Sequence, residues 1–265
     1  MARANGKGLE PPSSGLGVEH HLRLHDCDVH LLGTIPGFVP DGARVQAALD
    51  TGAVACVALG VPPEDLEGLA KLHEGATIAK PSLQPTGAAA VAAGAPGLEG
   101  IHDVGKGHVP NVQSDEDFEA LDPTQERFLE LLGRWGETRV PSPDLEVAFQ
   151  WAASNDRRIE ALDLDDESHA NVYIRANKFR HVLKSGRILK RIRKETFDAE
   201  DPHEFALAWD AFLNQLPSLQ EVEAAREEEM ANRLDALAKV HPSIVAIVPA
   251  PRLAGVRSRL ESTPS

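Results

Sequence analysis

The sequence predicts an α/β fold in which a mixed central sheet is flanked by helices. Continuous apolar runs of strand length occur at 53–59 and 243–248, near opposite ends of the chain. Such runs are typical of parallel strands that are covered on both faces. Between them, Phe128, Leu129 and Leu132 follow a helical spacing. Alternation of strands and helices around a helical block therefore favours an α/β fold with an additional helical layer.

The first predicted elements are two strands and a helix. Residues 21–25 alternate polar and apolar side chains, as a half-buried strand does, and 29–32 predict a second strand. A turn at 26–28 would join the two strands as a hairpin. A helix is then expected over 40–49 and ends near Gly52.

The remaining elements follow from the same signals of periodicity, proline and glycine. The predicted strands are 53–59, 158–163 and 243–248. The predicted helices are 63–74, 123–135, 142–152, 167–194, 202–216, 218–240 and 252–260.

The chain of 265 residues is expected to form a single domain over 19–262. Residues 1–18 are rich in glycine, proline and serine, which predicts a disordered tail. A segment near 75–122 is rich in glycine, alanine and proline and is interpreted as an insertion or long loop. Cys27 and Cys56 lie in apolar stretches and are expected to be core thiols, with a disulfide between neighbouring strands left open.

The charge balance excludes some classes of function. The formal net charge is −14, so the chain repels phosphate backbones and general nucleic-acid binding is not expected. No run approaches the roughly 18 apolar residues that a membrane span needs, and the N-terminus lacks the apolar core of a secretory signal. A cytoplasmic protein without a membrane span is therefore expected.

Two further clusters have ordinary structural interpretations. The histidines at positions 20, 21, 25 and 30 are interpreted as an exposed polar hairpin, because alternation along a strand points neighbours to opposite faces. Metal binding there is the alternative. A basic stripe over 184–194 fits a solvated helix face, or else a surface for an anion or an acidic partner.

Asp163 and Asp165 follow a predicted strand directly. In open α/β sheets, ligand sites lie beyond the carboxyl ends of strands, so these acids could hold a metal or a cationic ligand. The alternative is a helix N-terminus, where each acid stabilises the helix dipole by about 0.3–1 kcal/mol.

The order of these features resembles the TraB/PrgY family, which is related to the Tiki proteases and to the erythromycin-esterase and ChaN-like folds. The resemblance covers roughly 29–74 and 141–261. The segments that carry it are VHLLGTIPGF (29–38), AVACVALG (53–60), DLEVAF (144–149), RIEALDLD (158–165), AREEEMA (225–231) and IVAIVPAPRLAGV (244–256).

The resemblance implies a TraB/Tiki/ChaN-like fold and a site that has lost its metal ligands. The two histidines and the glutamate that look like ligands in the family fall on Pro36, Arg252 and Gly60 of this chain. A divalent metal needs several nitrogen or oxygen donors, and none of these three residues supplies a usual one. The chain is therefore expected to be a catalytically inactive family member that acts by binding or association, without a cofactor.

Two alternatives remain at this point. A rebuilt hydrolase site could use Asp163, Asp165 and Arg252, and a small anion-binding module could use Arg226 and Arg252. Partners would be a protein or a small anionic ligand, and the resemblance is compatible with a homodimer. The candidate ligand-binding residues are Thr34, Asp163, Asp165, Arg226 and Arg252.

Overall fold

The computed structural model describes residues 18–73, 123–176, 188, 190–192 and 194–262. Within these residues five strands form one mixed sheet, which confirms the predicted α/β class. The strands are Glu19–Leu24 (β1), Cys27–Thr34 (β2), Cys56–Leu59 (β3), Arg158–Ala161 (β4) and Ser243–Pro249 (β5). The helices that the structure bounds are Val39–Asp50 (α1), Pro63–Leu72 (α2), Pro123–Leu132 (α3), Pro143–Ser154 (α4), Asp166–Ala176 (α5), Pro202–Leu213 (α6), Pro217–Ala238 (α7) and Ala250–Ser262 (α8).

The strand order is β1-β2-β5-β3-β4. β1 and β2 form the predicted antiparallel hairpin, and the other neighbours are parallel. The last strand, β5, therefore lies in the middle of the sheet. The ends of β2, β3, β4 and β5 meet at one edge, which we call the carboxyl edge.

Both faces of the sheet are covered by helices. On one face, Val29 and Leu31 of β2 pack with Met230 and Leu234 of α7 and with α8. On the other, Leu32 packs with residues of α1 and α4. A third apolar cluster lies beyond the carboxyl edge, where Ile35 and Ala250 meet aromatic residues of α6. Leu132 of α3 and Phe205 of α6 belong to this cluster.

Several boundaries differ from the prediction. β4 ends at Ala161 rather than at 163, although the Leu162 and Asp163 amides still donate to the carbonyls of Leu59 and Val61. α8 begins directly after β5, with Pro251 in its first turn. The amide groups of a first turn have no partner within the helix, so a proline, which has no amide hydrogen, is tolerated there. The helix predicted over 167–194 is described as α5 as far as Ala176, and Lys194 lies in a turn.

Some expectations fall outside the described residues. These are the tail up to residue 17, the insertion near 75–122 and three of the six cations of the stripe at 184–194. Of the cations that are described, Arg191 pairs with Glu195 at 3.7 Å. In the part of the chain that the structure describes, no helix has both the length and the hydropathy needed to cross a bilayer.

Both cysteines are buried free thiols. Because β5 separates β2 from β3, Cys27 and Cys56 do not lie on neighbouring strands, and the disulfide alternative is not realised. Burial raises the pKa of Cys27 to about 11 and that of Cys56 to about 12. Both are therefore protonated and unreactive at neutral pH.

Candidate functional site

The turn after β2 is held by buried hydrogen bonds. The Thr34 hydroxyl donates to the Asp144 carboxylate at 2.6 Å, and the Ser142 hydroxyl donates to the same carboxylate. Thr34 is 2% exposed and Asp144 is equally buried. Thr34 therefore joins the end of β2 to the start of α4 and faces away from solvent.

A second buried carboxylate supports the same turn. Asp41 accepts the Ile35 amide at 2.6 Å and pairs with Arg44 at 2.6 Å. Burial raises the pKa of Asp41 above its usual range. Asp41 and Asp144 are absent from the candidate residues predicted from sequence, although each follows a proline in the first turn of a helix, which is a recognisable signal.

Two glycines at the carboxyl edge lie against neighbouring groups. A Cβ atom on Gly60 would lie 2.9 Å from Pro249 Cδ and 3.0 Å from Val248 Cα. A Cβ atom on Gly33 would lie 2.8 Å from Leu253 Cδ2. The side chains of Pro249 and Leu253 therefore leave no room for a side chain at Gly60 or Gly33 unless they shift.

Arg226 and Asp163 form a two-point ion pair. Arg226 Nε lies 3.0 Å from Asp163 Oδ2, and Nη2 lies 2.5 Å from the same oxygen. Arg226 Nη1 also donates to Glu223 at 3.0 Å. Burial alone would lower the pKa of the Arg226 guanidinium, but the hydrogen bond with Asp163 and the charge of Glu223 outweigh it and raise that pKa. The charge of Asp163 is therefore already paired with a cation of the protein, the Arg226 guanidinium.

Arg252 is enclosed by carboxylates. Its guanidinium pairs with Asp210, and its Nη1 lies 3.3 Å from Glu223 and 3.4 Å from Glu227. Its side chain is only 7% exposed. Arg259 also pairs with Glu227, at 2.8 Å. The positive charge of Arg252 is therefore compensated by carboxylates of α6 and α7 within the protein itself.

Asp165 caps α5. Its carboxylate accepts the Ser168 amide at 2.7 Å, and this hydrogen bond lowers the pKa of Asp165. A capping acid in this position satisfies an amide that the helix leaves unpaired. Asp163 and Asp165 therefore have separate partners, and the helix-terminus interpretation describes the geometry of Asp165.

A cavity of about 360 Å³ opens at the carboxyl edge. We call it the carboxyl-edge cavity. Its wall is mostly apolar, with Phe128 and Trp209 at a ring separation of 5.3 Å. The residues that line it are Pro36, Thr124, Gln125, Phe128, Ala206, Trp209, Asp210, Leu213, Arg226, Pro249, Pro251 and Arg252.

A smaller cavity of about 290 Å³ adjoins it and shares Asp210 and Arg252 with it. This acidic cavity is also lined by Asn214, Gln220, Ala211, Ala224, Glu223 and Glu227. An apolar space and an acidic space therefore meet at the Asp210–Arg252 ion pair.

The five predicted site residues do not share one cavity. Arg226 and Arg252 line the carboxyl-edge cavity, and Asp163 reaches it only through Arg226. Thr34 and Asp165 are engaged elsewhere. Trp209, Asp210 and Glu223 carry no sequence signal of a site, because only tertiary packing brings α6 and α7 beside the end of β5.

The hairpin histidines occupy different environments. His21 and His30 pair across β1 and β2 and stack with ring centroids 4.0 Å apart. His20 lies 3.4 Å from Arg257, and His25 donates a hydrogen bond to the Asp235 carboxylate at 2.8 Å. Among the described residues, no group of three or more His, Cys, Asp or Glu side chains is arranged to hold a metal ion.

No family model matches the chain, and no curated protein matches it.

Proposed function

We propose that this chain is a divergent TraB-like protein that binds a ligand in the carboxyl-edge cavity and does not hydrolyse it with a metal. The contact of Gly60 with Pro249 carries the proposal. A glutamate at position 60 would need the space that the Pro249 ring and the Val248 backbone occupy, at 2.9 and 3.0 Å from its Cβ atom.

The other two ligand positions support the same conclusion. Pro36 has no side-chain donor and lines the cavity as an apolar surface. Arg252 has no lone pair to donate to a metal, and its guanidinium pairs with Asp210 and Glu223. The residues present therefore do not fit a metal centre of the family's kind.

The cavity supports binding. Its volume of about 360 Å³ lies in the range of small-molecule sites, which combine apolar and aromatic walls with a few polar groups. Trp209 and Phe128 supply the aromatic surface, and Asp210 and Arg252 supply the polar groups.

A fragment screen by protein-observed NMR tests the binding site. Hits should perturb residues of the carboxyl-edge cavity, and Ala206→Leu, which extends a buried wall residue into it, should weaken them. Ala170→Leu on the exposed face of α5 is the matched control and should leave them unchanged. Hits whose affinity is unchanged by Ala206→Leu, or that map to another surface, would contradict the proposal.

Anion binding is a second candidate because two guanidiniums, those of Arg226 and Arg252, line the cavity. A rebuilt hydrolase would instead require Asp163 to break its ion pair with Arg226, or Asp165 to break its hydrogen bond with the Ser168 amide. Binding that weakens with salt and is not followed by turnover would favour the anion module over the hydrolase.

A further inference from the structure

The ion-pair network beside the cavity has more carboxylates than guanidiniums. Among the described residues it contains four carboxylates and three guanidiniums that contact one another. The carboxylates belong to Asp163, Asp210, Glu223 and Glu227, and the guanidiniums to Arg226, Arg252 and Arg259. With all groups ionised, the network has one net negative charge.

This imbalance decides which charge a ligand can bring at low cost. An anion would have to take Arg252 or Arg226 from a carboxylate that it now pairs with, and would leave that carboxylate without its partner. A cation at Asp210 breaks no ion pair of the described residues. It supplies the positive charge that these described carboxylates lack, and carboxylate oxygens accept more than one hydrogen bond.

Asp210 is the carboxylate best placed to meet such a cation. It lines both cavities, and its side chain is 31% exposed, whereas those of Glu223 and Glu227 are 18% and 15% exposed. It faces Arg252 and accepts the Asn214 amide at 3.0 Å. Trp209, its neighbour in α6, lines the apolar cavity beside it.

We propose that the ligand of the carboxyl-edge cavity is a small organic cation, an amine attached to an apolar or aromatic body. The body packs against Phe128 and Trp209, and the ammonium group binds Asp210. This inference rests on the proposed function, because it assumes that the cavity is the ligand site, and it deepens that proposal by assigning the ligand's charge.

Three probes of similar size and different charge test the assignment. They are 2-phenylethylammonium, 2-phenylethanol and 3-phenylpropanoate, titrated against the full chain by protein-observed NMR. The ammonium probe should bind about tenfold more tightly than the alcohol, as expected for a hydrogen bond to a charged group, and the carboxylate should bind most weakly.

Asp210→Asn should remove most of that preference and leave the affinity for 2-phenylethanol within about twofold, because the amide keeps the shape but not the charge. The neutral probe also reports whether the cavity remains intact in the variant. Asp198→Asn removes the same charge from an exposed position outside the network, so it controls for general attraction of cations to an acidic chain.

The inference is overturned if the carboxylate binds as tightly as the ammonium probe, if Asp210→Asn and Asp198→Asn have equal effects, or if none of the three probes binds in the cavity. The proposed function fails on different results, namely metal-dependent hydrolysis or fragment hits that map outside the carboxyl-edge cavity. Tight binding of the neutral alcohol without a preference for the amine would leave the binding site standing and refute only the charge assignment.

Discussion

The Asp163 carboxylate accepts hydrogen bonds from both Nε and Nη2 of Arg226, and these two nitrogens lie 3.0 and 2.5 Å from Oδ2. This ion pair joins the chain just beyond β4 to α7. Asp163 is 1% exposed, so its charge has been taken almost entirely out of water and depends on Arg226 for compensation.

Asp163→Asn should therefore lower the free energy of unfolding by about 3 kcal/mol, because it leaves a partly buried guanidinium with one carboxylate fewer. Urea denaturation measures the loss. Asp198→Asn, an exposed control, should change stability by less than about 0.5 kcal/mol. Equal stabilities for the two variants would show that the pair is energetically unimportant.

Gly60→Ala should be destabilising by about 1–3 kcal/mol, because the new methyl group would overlap Pro249 and the backbone of Val248. Thermal and urea denaturation both report it. Gly68→Ala is the matched control: no atom lies within 4 Å of its Cβ position, and it is in α2. That substitution should be neutral or stabilising by up to about 1 kcal/mol. A harmless Gly60→Ala would mean that the space beside Pro249 is open.

Thr34→Val should cost about 1–3 kcal/mol of stability, because the buried Asp144 carboxylate loses a hydroxyl donor at 2.6 Å. Thr51→Val is the comparison, since the Thr51 hydroxyl donates to the Ala48 carbonyl at an exposed helix end. The Thr51 variant should lose less. A reversed order would contradict a structural role for Thr34.

Stability should also fall in mild acid through His30. Burial, together with neighbouring His21, lowers the pKa of His30, so protons bind more readily to the unfolded chain. The free energy of unfolding then decreases as the pH falls below about 6.5, the unfolded value, towards the lower pKa of the folded state.

His30→Phe keeps a ring that can stack on His21 and removes the proton site. The loss of stability between about pH 7.5 and about pH 5.5 should be smaller in this variant than in the unmodified chain. His169→Phe, at an exposed position of α5, serves as the control. An unchanged pH dependence in His30→Phe would rule out a contribution from His30.

Local signals predicted most of the fold. Proline at the start of α1, α2, α4, α6 and α7, and continuous apolar runs in β3 and β5, act within a few residues and are visible in the sequence. The position of β5 between β2 and β3 follows from long-range pairing, which these signals do not encode.

The candidate site was predictable only in part. Arg226 and Arg252 were selected from the resemblance, and both line the cavity. The carboxylate partners of Arg252, which are Asp210 and Glu223, lie on other helices and carry no motif of their own. Asp163 and Asp165 looked like a pair because they are two residues apart, but β4 ends before them, and the strand alternation that would put them on one side does not extend that far.

The central claim is that the site binds without metal-dependent hydrolysis, and one measurement tests it most directly. Purified protein is dialysed against Mn²⁺, Co²⁺ or Zn²⁺, its bound metal is quantified, and peptide cleavage is followed in the same samples. We predict well below one equivalent of metal and no cleavage above that of the Arg252→Ala variant. One equivalent of metal together with peptide cleavage that the chelator EDTA abolishes would contradict the claim.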